Sequence, residues 1–289
     1  MKLDLKDVTI CAVDSVNVAL TARALDLSMA KCNFADAILF SDQPVKGTFR
    51  TEKIEKINST VEYSFFCWKI LPDFVKTRFV LIVQWDGYVI NAAAWKPIFR
   101  TYDYIGARWP FVTDALSVGN GGFSLRSRKF LCALAESRFE LHESQNSDWI
   151  ACRTYRPTLA TEYGIRFAPP HVADRFSHEY AAPNGPTFGF HGLGNMSRYL
   201  GDGELVAFVD DLHPYVYETP QYAKLIIECF VHKRDEALIA LYAKIRSRLA
   251  RDQILQMMVL FPYNADVAPD CISKCETLMP SSRGSSPSM

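Results

Sequence analysis

The chain has 289 residues, 49% apolar and 22% charged, and its 32 basic side chains are balanced by 32 acidic ones. That length can bury a sizeable core in one large domain, or in a domain plus an appendage. Zero formal net charge excludes a global field that would gather nucleic acid or an anionic membrane, although a local basic patch is still compatible with it. No apolar run reaches the ~18 residues of a membrane span, and the opening Met-Lys-Leu-Asp-Leu-Lys-Asp lacks the apolar core of a signal peptide. The eight cysteines form no Cys-x-x-Cys pair, and Cys271 and Cys275 have no second pair or His beside them, so free thiols in a reducing cytoplasm are expected rather than a zinc site.

In chain order, residues 8–13 (Val-Thr-Ile-Cys-Ala-Val) are rich in β-branched side chains and predict a first strand. Asp14 and Ser15 follow it, and residues 16–32 carry the Ala, Leu and Met of a helix. Residues 37–40 predict a second strand, and residues 63–76 a helix that Pro72 interrupts. Residues 79–85 are an apolar run ending in Gln84-Trp85-Asp86-Gly87, expected as a buried central strand. Strand, helix, strand, helix, strand is the signature of a parallel α/β sheet. Open sheets of that kind place ligands at the carboxyl ends of their strands, where both Asp14 and Asp86 would lie. A plain Asp-Gly turn is the competing reading of Asp86.

The middle of the chain differs in character. Residues 117–127 set Gly119, Gly121 and Gly122 around Asn120, a composition that permits close backbone approach to a ligand but lacks the Gly-Lys-Ser/Thr ending of a P-loop. Ser127 is placed to cap a helix over residues 128–137, after a strand over 123–125. Asp148 opens a helix over 149–155, where a cap and a functional carboxylate are equally compatible. Residues 165–168 predict a short strand, and residues 187–192 (Thr-Phe-Gly-Phe-His-Gly) an aromatic strand end that presents His191. Beyond Pro220, residues 222–231 and 236–261 predict two amphipathic helices, followed from residue 264 by a disordered tail.

Four co-linear stretches, Gln84-Trp-Asp-Gly-Tyr-Val, Tyr102-Asp-Tyr-Ile-Gly-Ala, Val118-Gly-Asn-Gly-Gly-Phe-Ser-Leu-Arg-Ser and Phe188-Gly-Phe-His-Gly, resemble a bacterial family of unknown function that is grouped with GT-A-fold glycosyltransferases. The resemblance covers residues 8–192. It implies a GT-A-like α/β domain with a mostly parallel sheet, a nucleotide-sugar donor and a divalent cation, Mn²⁺ or Mg²⁺. The Asp-x-Asp element of such enzymes corresponds here to Gln84-Trp85-Asp86, with an amide in place of the first carboxylate. The resemblance implies Asp86 and His191 as metal ligands and Asp148 as the base that deprotonates the acceptor in an inverting displacement. Where the family pattern shows Glu-Asp, this chain has Ser147-Asp148.

Around these residues, Asp14, Ser15, Gln84, Trp85, Asp86, the Gly119-Asn120-Gly121-Gly122 loop and Arg126 are expected to hold the donor. Trp85, Trp109 and Phe123 are expected to offer faces to a sugar ring. The expected organisation is a glycosyltransferase domain over residues 1–215, a helical appendage over 216–263 and a tail over 264–289. The expected partners are the donor and a glycan or lipid-linked acceptor, the latter with peripheral membrane contact. A non-catalytic nucleotide-sugar or glycan-binding protein on the same fold is the alternative reading.

Overall fold

The computed structural model describes residues 2–142, 145–261 and 264–279. Two compact units divide at Gly192, Met1–Gly192 and Leu193–Met289, so the boundary expected at residue 215 falls inside the second. Among the described residues no helix is long and apolar enough to cross a membrane.

The first unit is a mixed α/β layer structure. β1 (Leu3–Val13), β2 (Cys32–Ser41), β3 (Arg50–Lys53), β4 (Phe79–Ile82), β5 (Tyr104–Ile105) and β6 (Ser124–Ser127) form one sheet in the order β3-β2-β1-β4-β6-β5. β1 pairs in parallel with β2 and β4, and β2 with β3, whereas β6 runs antiparallel to both β4 and β5. The expected parallel sheet is therefore present with a single reversed strand. The alternation along β1 shows why it lies at the centre. Ile10 and Ala12 belong to one buried cluster with Leu39, Leu81 and α1 (Val18–Lys31). Cys11 and Val13 belong to another, with Phe40, Val80 and Ile82. Helices cover both faces, as a sheet buried on two sides requires. The second face carries α2 (Thr60–Phe65), a π-helical turn over Phe66–Ile70, α3 (Leu71–Phe74) and α4 (Arg128–Ala135).

After α4 come α5 (Ser147–Trp149), a second π-helical turn (Ile150–Thr154), α6 (Arg156–Tyr163) and α7 (Pro170–Phe176). β7 (Ser177–His178) and β8 (Gly189–Phe190) then form a small parallel pair. The second unit holds α8 (Asp202–Asp210), α9 (Pro220–Val231), α10 (Asp235–Arg246), α11 (Arg251–Val259) and α12 (Ala268–Leu278).

Several expected elements are corrected. The central strand ends at Ile82 rather than Trp85, because Gln84 and Gly87 exchange backbone hydrogen bonds at 3.0 and 3.1 Å and close a two-residue turn over Trp85-Asp86. Residues 165–168 contribute a single bridge, Phe167 to Tyr104, instead of a strand. The long helix expected over 236–261 is broken between Arg246 and Arg251. The tail expected from residue 264 contains α12, whose Cys271, Ile272 and Cys275 are fully buried; residues 280–289 lie outside the described residues.

Candidate active site

Because β1, β2, β4 and β5 all run one way, the segments after them meet at one end of the sheet. The reversal of β6 brings its preceding loop, Ser117–Phe123, to that same end. The site is built from these connections and from the β7–β8 pair.

Asp14 follows β1. Its Oδ1 accepts from the backbone N–H groups of Val16 and Asn17 at 2.6 and 2.9 Å, and its Oδ2 from the Thr21 hydroxyl at 2.5 Å. Asp14 thus caps the entry to α1. Burial pushes its pKa up and the charge of Asp86 adds to this, while the three hydrogen bonds oppose it. Ser15 is committed to the scaffold: its hydroxyl accepts from Ile57 N–H at 3.0 Å, and its carbonyl from the Gln43 amide at 3.1 Å.

Asp86 sits in the Gln84–Gly87 turn, 8% exposed. The competing turn is present, and it presents the carboxylate to His191. His191 occupies the centre. Its Nε2 lies 2.9 Å from Gln84 Oε1 and 3.4 Å from Asp86 Oδ1; its Nδ1 lies 3.0 Å from Glu179 Oε1. Burial alone would lower the imidazole pKa. The carboxylates of Asp86 and Glu179 outweigh it and hold the pKa well above its ordinary value. Glu179, which no sequence pattern singled out, arrives because β7 pairs with β8, and the His191 N–H donates to the His178 carbonyl at 3.0 Å.

The glycine loop supplies the other wall. Asn120 adopts the left-handed conformation, with φ of 68°. Its amide donates to Glu179 Oε2 at 2.5 Å, and its carbonyl accepts from the Tyr104 hydroxyl at 2.8 Å. Gly122 faces His191 so closely that a Cβ there would fall 2.1 Å from Nε2 and 2.6 Å from Gln84 Oε1. Gly119 is glycine for a different reason: its missing Cβ leaves room for the Trp109 ring. Asp148, at the head of α5, turns both oxygens to backbone donors, Gly121 N–H at 3.0 Å and Trp149 N–H at 2.8 Å. Burial, then the nearby charge of Glu179, raises its pKa against those bonds. Arg126 is buried beneath the loop, donating to Ser124 Oγ at 3.0 Å and to the Gly121 carbonyl at 3.2 Å.

The expected residues thus separate into groups. Gln84, Asp86, Asn120 and His191 are joined in one network, with Glu179 as the added member. Gly121, Gly122, Asp148 and Arg126 adjoin it. Asp14 touches it only through charge. Of the three expected ring faces, Trp85 is half-buried at the turn. Trp109 and Phe123 belong to the core: Trp109 is 4% exposed against Trp149, and Phe123 is fully buried against Phe176 and Phe188. Arg108 and Arg153 are held in ion pairs with Asp174 and Asp114.

Among the described residues no group of three or more His, Cys, Asp or Glu side chains is placed to hold a metal ion. What does gather at one edge of the His191 ring is a carboxylate oxygen, an amide oxygen and the imidazole Nε2. With its pKa raised, the imidazole carries a proton on Nε2 directed at the Gln84 oxygen, so a cation would enter this set only in exchange for that proton. Glu179 on Nδ1 is the partner that orients a metal-ligating imidazole.

A family model described as "Protein of unknown function (DUF5672)" matches residues 46–191, which span the site from the edge of β3 to His191. No curated protein matches the chain. Among solved structures, the mannosyltransferase PcManGT from Pyrobaculum calidifontis, in complex with GDP-Man and Mn²⁺, is similar with a TM-score of 0.40 and 11% identity, over 96% of this chain and 76% of that one. The apo-form glycosyltransferase GlyE of Streptococcus pneumoniae TIGR4 is similar with a TM-score of 0.34 and 12% identity, over 66% of this chain and 54% of that one.

Proposed function

We propose that this chain, which belongs to the DUF5672 family, is a glycosyltransferase that moves a sugar from a nucleotide-sugar donor to a hydroxyl acceptor. One observation carries the reading: polar groups from three of the four motifs that resemble GT-A enzymes, Gln84 and Asp86, Asn120, and His191, are within contact of one another at the carboxyl end of β4. The fourth motif supports them from below through the Tyr104 hydroxyl.

In this reading Asp86, the Gln84 amide and His191, once its Nε2 proton is released, would hold a divalent cation, which would neutralise charge on the donor diphosphate. Asp148 is the base. Its carboxylate takes the proton from the acceptor hydroxyl, the acceptor oxygen bonds to the anomeric carbon, and the bond from that carbon to the diphosphate oxygen breaks. The electron pair leaves with the nucleoside diphosphate, and attack opposite the leaving group inverts the centre. The raised pKa of Asp148 suits it to accept a proton. Arg126, held beneath the loop on the Gly121 carbonyl, would act on charge that develops as the bond breaks through its field rather than by contact.

A second reading has its own observation. Both oxygens of Asp148 are already taken by backbone donors. A chain that uses this aspartate only to fix the loop would bind a nucleotide sugar without turning it over.

The deciding experiment is a thermal-shift screen of UDP-, GDP-, CMP- and TDP-sugars with and without Mn²⁺, followed by a transfer assay with the donor that binds. The expected result is stabilisation by one donor, dependent on Mn²⁺ and absent in Asp86→Asn. Donor binding with no product formed, in either the presence or absence of acceptors, supports the binding protein. No shift with any donor from a folded sample overturns both.

A further inference from the structure

The opposite end of the same sheet holds a cleft of about 320 Å³. Arg78 borders it just ahead of β4, Arg100 and Asp103 ahead of β5, and Arg128 and Lys129 just after β6, while Arg166 adds a further wall. Five cationic residues from four separate stretches of the chain thus line one space beside a single acid, in a molecule with no net charge.

Four arginines elsewhere are paired with carboxylates: Arg50 with Asp36, Arg108 with Asp174, Arg138 with Glu162 and Arg153 with Asp114. At the cleft, among the described residues, only Arg100 is so paired, with Asp7 at 3.1 Å. Arg128 Nε donates to the Val75 carbonyl at 3.0 Å and Lys129 Nζ to the Gly164 carbonyl at 2.7 Å. The guanidinium groups of Arg78 and Arg166 lie over the rings of Phe79 and Tyr102, 5.1 and 5.5 Å from their centres. Asp103 directs its oxygens to the Ser127 hydroxyl at 2.7 Å and the Arg166 backbone N–H at 2.9 Å rather than to a guanidinium, and its one negative charge stands against five positive ones. Arg100 Nε is buried with no hydrogen-bond partner.

Cations gathered this way repel one another unless an anion lies between them. A single carboxylate would occupy one guanidinium. Several guanidinium forks around one space match the several oxygens and the multiple charge of phosphate. We infer that this cleft binds a phosphate-bearing anion, independently of the chemistry proposed for the other end of the sheet. The phosphate arrives either on a soluble molecule or on the headgroup of an anionic lipid.

The test uses the full chain. Sodium pyrophosphate is titrated calorimetrically at fixed ionic strength, and flotation is measured with vesicles of phosphatidylcholine alone or mixed with phosphatidylglycerol. Both are repeated on the Arg128→Gln/Arg166→Gln double variant and on Asp86→Asn, which alters only the far end. These exposed arginines can be replaced without opening the core, and circular dichroism checks the fold. Saturable pyrophosphate binding that weakens roughly tenfold or more in the double variant and persists in Asp86→Asn assigns a soluble phosphate. Flotation with phosphatidylglycerol vesicles alone, lost in the double variant and without pyrophosphate binding at the cleft, assigns a lipid headgroup. Binding that the double variant leaves unchanged, or no binding of either probe by the folded chain, overturns the inference.

Discussion

Gly122 is the position where the smallest change meets the most resistance. A methyl group there would lie 2.1 Å from His191 Nε2, and the ring is hemmed in by Asp86, Glu179 and Gln84. Gly122→Ala should cost about 1–3 kcal/mol in urea denaturation through overpacking and abolish donor-dependent thermal stabilisation. Asp148 gives a pH signature. Its folded pKa is raised above the unfolded value, so its stability contribution is fully present below the unfolded pKa and is lost as pH rises through the raised folded one. Denaturation across a pH series should show that loss in the native chain and not in Asp148→Asn. The transfer rate should rise with pH over the same raised range as the base ionises, and Asp148→Asn should remove it by two orders of magnitude or more, within the roughly 10²–10⁴-fold ascribed to a general base. Asp86, His191 and Asn120 were legible as candidates because glycines and strand ends mark them. Glu179 was not, since nothing in Phe-Ser-His-Glu distinguishes it until β7 lies beside β8. Trp109 and Phe123 misled for a related reason: an aromatic ring suits a sugar face and a core equally well, and only tertiary packing separates the two.

At the scale of elements, β6 and α4 share a hinge residue. The Ser127 hydroxyl accepts from Phe130 N–H at 3.0 Å as the cap of α4, and donates to Asp103 Oδ1 at 2.7 Å. Ser127→Ala should therefore cost about 1–2 kcal/mol by chemical denaturation, toward the upper part of the range for a lost cap. This cap was readable in advance, as were β1, β2, α1 and the central place of β4, because propensity and burial agree in them. The reversal of β6 was not readable, since a four-residue buried strand carries no mark of direction. Two π-helical turns, at Phe66–Ile70 and Ile150–Thr154, were likewise hidden within apparently ordinary helical patterns.

For the molecule as a whole, the second unit has its own buried centre, in which Tyr222, Leu238, Leu241, Tyr242, Ile254 and Ile272 are all fully enclosed. Calorimetry of residues 193–289 expressed alone should show a cooperative transition, and a non-cooperative melt would refute their independence. The pattern beyond Pro220 revealed the helices here but placed their start too late, because residues 193–219 are turns and one short amphipathic helix, α8, without a strong boundary signal.

The direction of β6 has a further effect. By running against its neighbours it delivers the glycine loop to the end of the sheet that holds Asp14, Asp86, Asp148 and Glu179, and it sends Arg128 and Lys129 to the other. The two ends of one short sheet thus gather side chains of opposite sign, acids around His191 at one and Arg78, Arg128, Lys129 and Arg166 at the other. Raised ionic strength should therefore weaken a cation at the first end and an anion at the second together.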